Sequence, residues 1–280
     1  MAFADSHDII SPSTSQDRQM LSRHRTERLG IGAPRAFAIM ISLAAVVMVA
    51  ALIHAMAAGI GDVRLSSKVM DAKLASIRRE SGFVSSARIP KAMKEIVIAD
   101  EDHDFYMHHG YSLVDMHRAL RINIRAGKVK QGGSTITQQL AKNLFFTNDR
   151  TARRKVAELV TALKLEDRLT KQEILEAYLN VIDFGLGAKG IGPAARTYFG
   201  KDPLELTDGE CALLAGFIPS PPKDKLTPER ARAALDLTLH RLKQINGTRL
   251  ASVRKEIDSV GEDQWLLKHL RHLPTAKDSG

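Results

Sequence analysis

The sequence predicts a mainly α-helical domain preceded by one transmembrane helix, and three observations carry that expectation. Aromatic residues make up only 5% of the 280 positions, β-branched runs are short, and Ala, Leu, Lys, Arg and Glu dominate the middle of the chain. That composition favours helix. Helix starts recur in recognisable form: Thr170 with Glu173 and Thr207 with Glu210 each set an N-cap hydroxyl three residues before an acid. Finally, residues 36–60 hold no Asp, Glu, Lys or Arg across 25 positions, and about 20 apolar residues in a helix already cross the hydrocarbon of a bilayer.

In chain order, residues 1–35 are rich in Ser, Asp, Gln and Arg and read as a tail. Residues 36–60 read as an uncleaved anchor. Ala55-Met56-Ala57 would suit a signal-peptide cleavage site, but the apolar region of such peptides runs only about 7–15 residues. Arg18, Arg23, Arg25, Arg28 and Arg35 precede the span, and Arg64, Lys68, Lys73, Arg78 and Arg79 follow it, so the positive-inside rule gives no orientation. Residues 61–88 are a stalk or linker, with a short helix over Ser66 to Arg79. The stretch from Gly82 to Pro90 breaks the pattern, and the main domain occupies 89–246. Its helices are expected near 91–102, 112–126, 134–145, 151–169, 171–182, 187–199, 207–217 and 228–245, the last opened by Thr227-Pro228-Glu229. Residues 247–280 are polar and read as a loosely packed tail. No internal repeat or long strand pattern appears.

With 44% hydrophobic and 26% charged residues, the chain can bury a sizeable core and is not a disordered protein. The lone cysteine, Cys211, cannot form an intramolecular disulfide, and beside Ala212 and Leu213 it reads as a small buried apolar residue. The net charge of +9 suits a polyanionic partner. Nucleic acid, anionic phospholipid and pyrophosphate all fit, as does plain solvation of helix faces, so charge alone does not choose.

Three features could carry chemistry. In IADEDHDFYMHHG, Glu101 ends a predicted helix among Asp100, Asp102 and Asp104; crowding by acids raises proton affinity and suits a general base. His103, His108 and His109 raise metal binding, but their spacing matches no zinc signature. In QGGSTITQQLAKN, two glycines free the backbone before a helix whose N-terminus faces anions. There Ser134, Thr135, Gln138, Gln139, Lys142 and Asn143 form a line of hydrogen-bonding groups with one cation. The plainer reading of the hydroxyls is helix capping. Third, Arg150, Arg153, Arg154 and Lys155 crowd a helix start with Glu158 one turn on. Cations oppose the helix dipole there, a cost that suggests an anion supplied from outside. One-face salt bridging is the bland alternative for Glu158.

These segments, in this order, resemble the peptidoglycan glycosyltransferase family, the domain also found at the front of bifunctional penicillin-binding proteins. The matching stretches are Glu101-Asp102 with Phe105, His108 and Gly110, then GGSTITQQ at 132–139, Arg154-Lys155 with Glu158, KQEILEAYLN at 171–180, FGLGAKGIGPAARTYFGK at 184–201 and LTDGECALLAGFIPSPP at 206–222. Ser112 departs from the family, where many members carry aspartate, and the sequence after Pro219 follows the pattern only loosely.

The resemblance implies a lysozyme-like helical domain with a small membrane-apposed lobe built from about residues 111–131. Leu113, Met116, Leu120, Ile122 and Ile124 would give that lobe its apolar face, with Arg118, Arg121, Arg125 and Lys128 around it. The implied reaction is inverting polymerisation of lipid II, an undecaprenyl-pyrophosphoryl disaccharide-peptide, onto a growing glycan strand with release of undecaprenyl pyrophosphate. Glu101 would be the general base, and Glu158 would orient the donor, directly or through a divalent ion such as magnesium or manganese. Lys142, Arg150, Arg154 and Lys155 would neutralise the leaving group. Ser134, Thr135, Gln138, Gln139 and Asn143 would hold sugars and phosphates.

An N-terminus in the cytoplasm and a catalytic domain on the outer face of the inner membrane follow from where this family meets its substrate. Partners beyond the lipid would be cell-wall synthesis or division proteins, with no nucleic acid. Fewer than 60 residues follow Pro222, too few for a transpeptidase. The S-x-x-K matches at Ser220 and Ser252 lack KTG and S-D-N companions, so a monofunctional enzyme is expected. The rival readings are a lysozyme-like hydrolase or lytic transglycosylase, which needs no pyrophosphate site, and a membrane-tethered basic binding protein.

Overall fold

The computed structural model describes residues 66–127, 132–147 and 151–270. The predicted tail at 1–35, the span at 36–60, Lys128 and Arg150 lie outside them. Among the described residues no helix is long and apolar enough to cross a membrane, and no strand forms beyond one isolated bridge between Asp183 and Lys189.

The helices are α1 (Ser67–Arg78), α2 (Lys91–Glu101), α3 (Leu113–Ala126), α4 (Ile136–Phe145), α5 (Ala152–Glu166), α6 (Lys171–Val181), α7 (Ile191–Phe199), α8 (Asp208–Phe217), α9 (Pro228–Ile245), α10 (Gly247–Asp258) and α11 (Glu262–His269). Short 3₁₀ turns lie at Ser86–Arg88, Phe105–Met107 and Pro203–Glu205. Both predicted capping boxes form, with Thr170 and Thr207 each accepting from the backbone of the acid that caps in return.

Helix α8 is mostly apolar, all its residues from Gly209 to Phe217 are buried, and its one buried acid, Glu210, pairs with Lys201 at 2.7 Å. It packs against α2, α9 and α10. Gly216 permits the closest of these approaches, since a Cβ there would lie 2.2 Å from the Ala234 carbonyl oxygen. Cys211 sits in this core, where burial pushes its thiol well above its usual range. Around it α4 packs on α5 and α6, so α2, α4, α6 and α9 converge where α2 ends.

The packing redraws three expectations. The stalk helix is part of the domain: α1 buries Met70, Leu74 and Ile77 in the common core. The C-terminal stretch through residue 270 is no loose tail, because α10 and α11 bury Val253, Ile257, Trp265 and Leu266. Glu256 fastens them to the start of α8, accepting from Thr207 Oγ1 at 2.7 Å, Gly209 N–H at 2.8 Å and Trp265 Nε1 at 2.9 Å. The helix expected from 187 begins only at Ile191, since Gly185, Leu186, Gly187 and Gly190 all have positive φ. Gly190 has no alternative there; a Cβ would fall 2.5 Å from the Asn180 carbonyl oxygen.

Candidate active site

Helix α2 ends at Glu101, and its neighbour Asp102 organises the loop beyond. The buried Asp102 carboxylate accepts the Ile136 N–H at 2.9 Å through Oδ2 and meets His108 Nε2 at 2.8 Å through Oδ1. A negative group at a helix N-terminus is well placed, and here it stitches the 102–110 loop to the start of α4. Burial pushes the Asp102 carboxyl above its usual range, against both of these hydrogen bonds. Thr135 tightens the same joint. Its hydroxyl donates to the Gly110 carbonyl at 2.8 Å and accepts the Gln138 N–H at 3.2 Å as N-cap of α4. Its proton is therefore spent on the fold, and its oxygen caps α4. Ser112, the departure from the family pattern, caps α3 by accepting from Asp115 N–H at 3.1 Å.

Glu101 is 12% exposed at its side chain. Gln139 Nε2 donates to its Oε2 at 2.7 Å, and Gln139 is itself fixed by Tyr178 Oη, which donates to Gln139 Oε1 at 3.0 Å. Asn143 Nδ2 donates to the Gln139 carbonyl at 2.9 Å, and Asn143 is itself half-buried. Lys142 lies one turn from Gln139 on the same face, close enough to favour charge on Glu101. Burial nevertheless dominates and holds the Glu101 carboxyl above the ordinary glutamate range, as a general base near neutrality needs.

On α5, Glu158 is buried beneath two cations. Arg154 Nε lies 2.9 Å from Oε1 and Lys155 Nζ lies 3.1 Å from Oε2. The arginine contact is a close ion pair without hydrogen-bond alignment. Lys155 also donates to Ser134 Oγ at 2.7 Å, and Arg154 Nη1 donates to the Thr147 carbonyl at 2.9 Å. Ser134 therefore joins the cations. Both oxygens of Glu158 lie within ion-pair distance of a cation. Gln138 is buried, and Arg150 lies outside the described residues.

Two further groups have no role assigned from the sequence. Arg241, from α9, lies 3.1 Å from Asp100 Oδ1 and 3.9 Å from Glu101 Oε1. Tyr178 falls inside a family motif, but nothing local assigns it a role. Among the described residues, His103, Asp104 and Asp115 bring one ligand atom each within 4.8 Å of one another. Asp115 already pairs with Arg118 at 2.7 Å, and no metal role is assigned to the group.

A buried carboxylate of raised proton affinity, held by Gln139, and a buried acid carrying two cations, one of them bonded to Ser134, are among the polar features of this helical domain. Comparison with known proteins gives the domain its family. A transglycosylase family model matches residues 69–243, and the chain belongs to that family. It is 40% identical over 174 residues to a protein of Cupriavidus necator named "Putative transglycosylase", covering 61% of this chain and 75% of that one. It is 46% identical over 162 residues to penicillin-binding protein 1A of Aquifex aeolicus and 44% over 161 to that of Escherichia coli. Each of these two matches covers 57% of this chain, but only 22% and 19% of the respective relative.

Proposed function

We propose that the protein polymerises lipid II into β-1,4-linked glycan strands, releasing undecaprenyl pyrophosphate. The observation that carries this reading is the pair of contacts along α4 and its approach: Gln139 holds Glu101, while Ser134 holds Lys155 beside Arg154. A base and an anion cradle thus share one support. Glu101 removes the proton from the acceptor 4-hydroxyl as that oxygen attacks the donor anomeric carbon from the face opposite the pyrophosphate. The bond from the anomeric carbon to the pyrophosphate oxygen breaks, and the leaving group keeps both electrons. Lys142, Arg154 and Lys155 neutralise the charge that collects there, where preorganised cations act most strongly. A pyrophosphate needs that more than it needs a proton, which accounts for a site with one exposed-edge carboxylate and several cations rather than two acids.

The domain is read as lysozyme-like, with α3 as its membrane-apposed lobe. Supporting this, Leu113, Val114, Met116 and Ile124 are exposed on α3, alongside the exposed Tyr106 and Met107 of the preceding loop. An apolar face flanked by Arg118, Arg121 and Arg125 suits an anionic bilayer surface. The 36–60 span would tether the domain on the outer face of the inner membrane.

Purified protein given labelled lipid-linked disaccharide tests the reaction. Wild type should form polymer, and Glu101→Gln should lose about 10²- to 10⁴-fold in rate, the usual contribution of a general base. Polymerisation at the wild-type rate by that variant would remove Glu101 as the base.

A further inference from the structure

Arg241 lies on α9, far in sequence from every group discussed for catalysis, yet it reaches the last turn of α2. Its Nη1 is 3.1 Å from Asp100 Oδ1, 3.2 Å from the Asp100 carbonyl oxygen to which it donates, and 3.9 Å from Glu101 Oε1. Thr238, one helical turn earlier on α9, donates its hydroxyl to Asp100 Oδ2 at 3.1 Å. Both α9 residues therefore address the acid next to the base, and the Asp100 side chain is almost wholly buried.

We propose that Arg241 is a positioning residue for the transfer reaction: by neutralising the buried Asp100 and facing the free oxygen of Glu101, it keeps Glu101 ionisable and aimed. The inference rests on Glu101 being the base. The physical reason is that two adjacent carboxylates in a water-poor site resist holding two negative charges. Burial raises the proton affinity of Asp100, with Arg241 its chief opposing influence, and the Asp100 charge in turn raises that of Glu101 while Arg241 lowers it. Other charged or titratable groups bear on this corner: Asp102 after α2, Lys142 from α4 and Tyr178 from α6. None of these pairs directly with Asp100. The backbone contact adds aim, since a cation on a carbonyl at a helix C-terminus is favourably placed and fixes the turn that carries Glu101.

The test is the pH profile of kcat/KM for polymerisation by the full chain. Arg241→Met should move the acid limb upward by about one pH unit, the low end for a neighbouring opposite charge because the guanidinium is partly exposed. That corresponds to about a tenfold loss below the limb and a smaller loss above it. Arg241→Lys should restore most of the profile. Removing the opposed charge as well, in Arg241→Met with Asp100→Asn, should return the limb towards wild type. Asp100→Asn alone, which leaves Arg241 unopposed, should move it downward, and this variant decides the matter if Arg241→Met does not fold. An unmoved limb in Arg241→Met, or a displaced limb that Asp100→Asn does not correct, overturns the inference. The two readings separate cleanly: an inactive Glu101→Gln beside an unmoved Arg241→Met limb refutes only the role of Arg241, whereas an active Glu101→Gln refutes the base itself.

Discussion

Replacing Arg154 with methionine separates an ion cradle from ordinary helix salt bridging. Arg154 and Lys155 lie four and three residues before Glu158, the spacing at which exposed helix pairs contribute only about 0.2–0.5 kcal/mol each. On that view Arg154→Met costs well under 1 kcal/mol and leaves activity alone. The geometry gives another answer. The Glu158 side chain is 2% exposed, whereas its partners are 18% and 53% exposed. Removing Arg154 strands a buried carboxylate with one largely solvated lysine, and breaking a buried pair this way costs about 3–5 kcal/mol. Discounting for the partner that remains, we expect about 2–3 kcal/mol on that scale.

Glu158→Gln should cost less, about 1 kcal/mol, because the cations it frees can reach water. Arg154→Met combined with Glu158→Leu should be the least destabilised per group removed, with a coupling of about 2 kcal/mol. Urea unfolding of the detergent-solubilised chain reads all three. Polymerisation by Arg154→Met should fall about 10²-fold, and the double variant should recover stability without recovering rate. An Arg154→Met protein within about 0.5 kcal/mol of wild type, or a double variant that polymerises normally, would refute the reasoning.

Other consequences can be measured alongside. Trp265→Ala should cost about 3–5 kcal/mol as a core truncation; a loss below about 1 kcal/mol in the same unfolding assay would mean that α11 is dispensable to the fold. Glu101→Gln should be more stable than wild type at neutral pH. Its folded carboxyl is raised by burial, so the stability it contributes is present below its unfolded value and lost as pH rises through the folded one. The gap in favour of Gln should therefore widen from acid to neutral pH, and a gap that narrows contradicts the burial argument. Met116→Glu with Ile124→Glu should raise KM for bilayer-presented substrate more than tenfold, since each apolar side chain withdrawn from lipid forfeits about 1.5–3 kcal/mol. The same pair should change little with substrate in detergent, and equal losses in both media would argue against a lipid-facing α3.

Local rules read well from this sequence, and distant pairings did not. Thr170, Thr207 and Thr227 announce their helices because a cap and its partner are three residues apart, and each forms as expected. Glu101, Gln139, Lys142, Ser134, Lys155 and Glu158 lie inside compact motifs, so the segments that build the site were visible. Which hydroxyl would be consumed by the fold was not: Thr135 and Ser134 are neighbours of the same type, and only the carbonyl of Gly110 decides between them. Arg241 was invisible because its partner is 141 positions away and an arginine on a polar helix has no local signature. The C-terminal helices were missed because Val253, Ile257, Trp265 and Leu266 are scattered among charges; their burial depends on Glu256 finding the start of α8.

Ser134 and Gln139 stand five positions apart, and between them they touch Lys155 and Glu101. Their separation behaves as a ruler cut into the chain. A single residue inserted or deleted between them would swing one contact by about 100° relative to the other, a misalignment that no exchange of one side chain for another could produce. The span between the Glu101 clamp and the Lys155 contact is therefore set by counting peptide units.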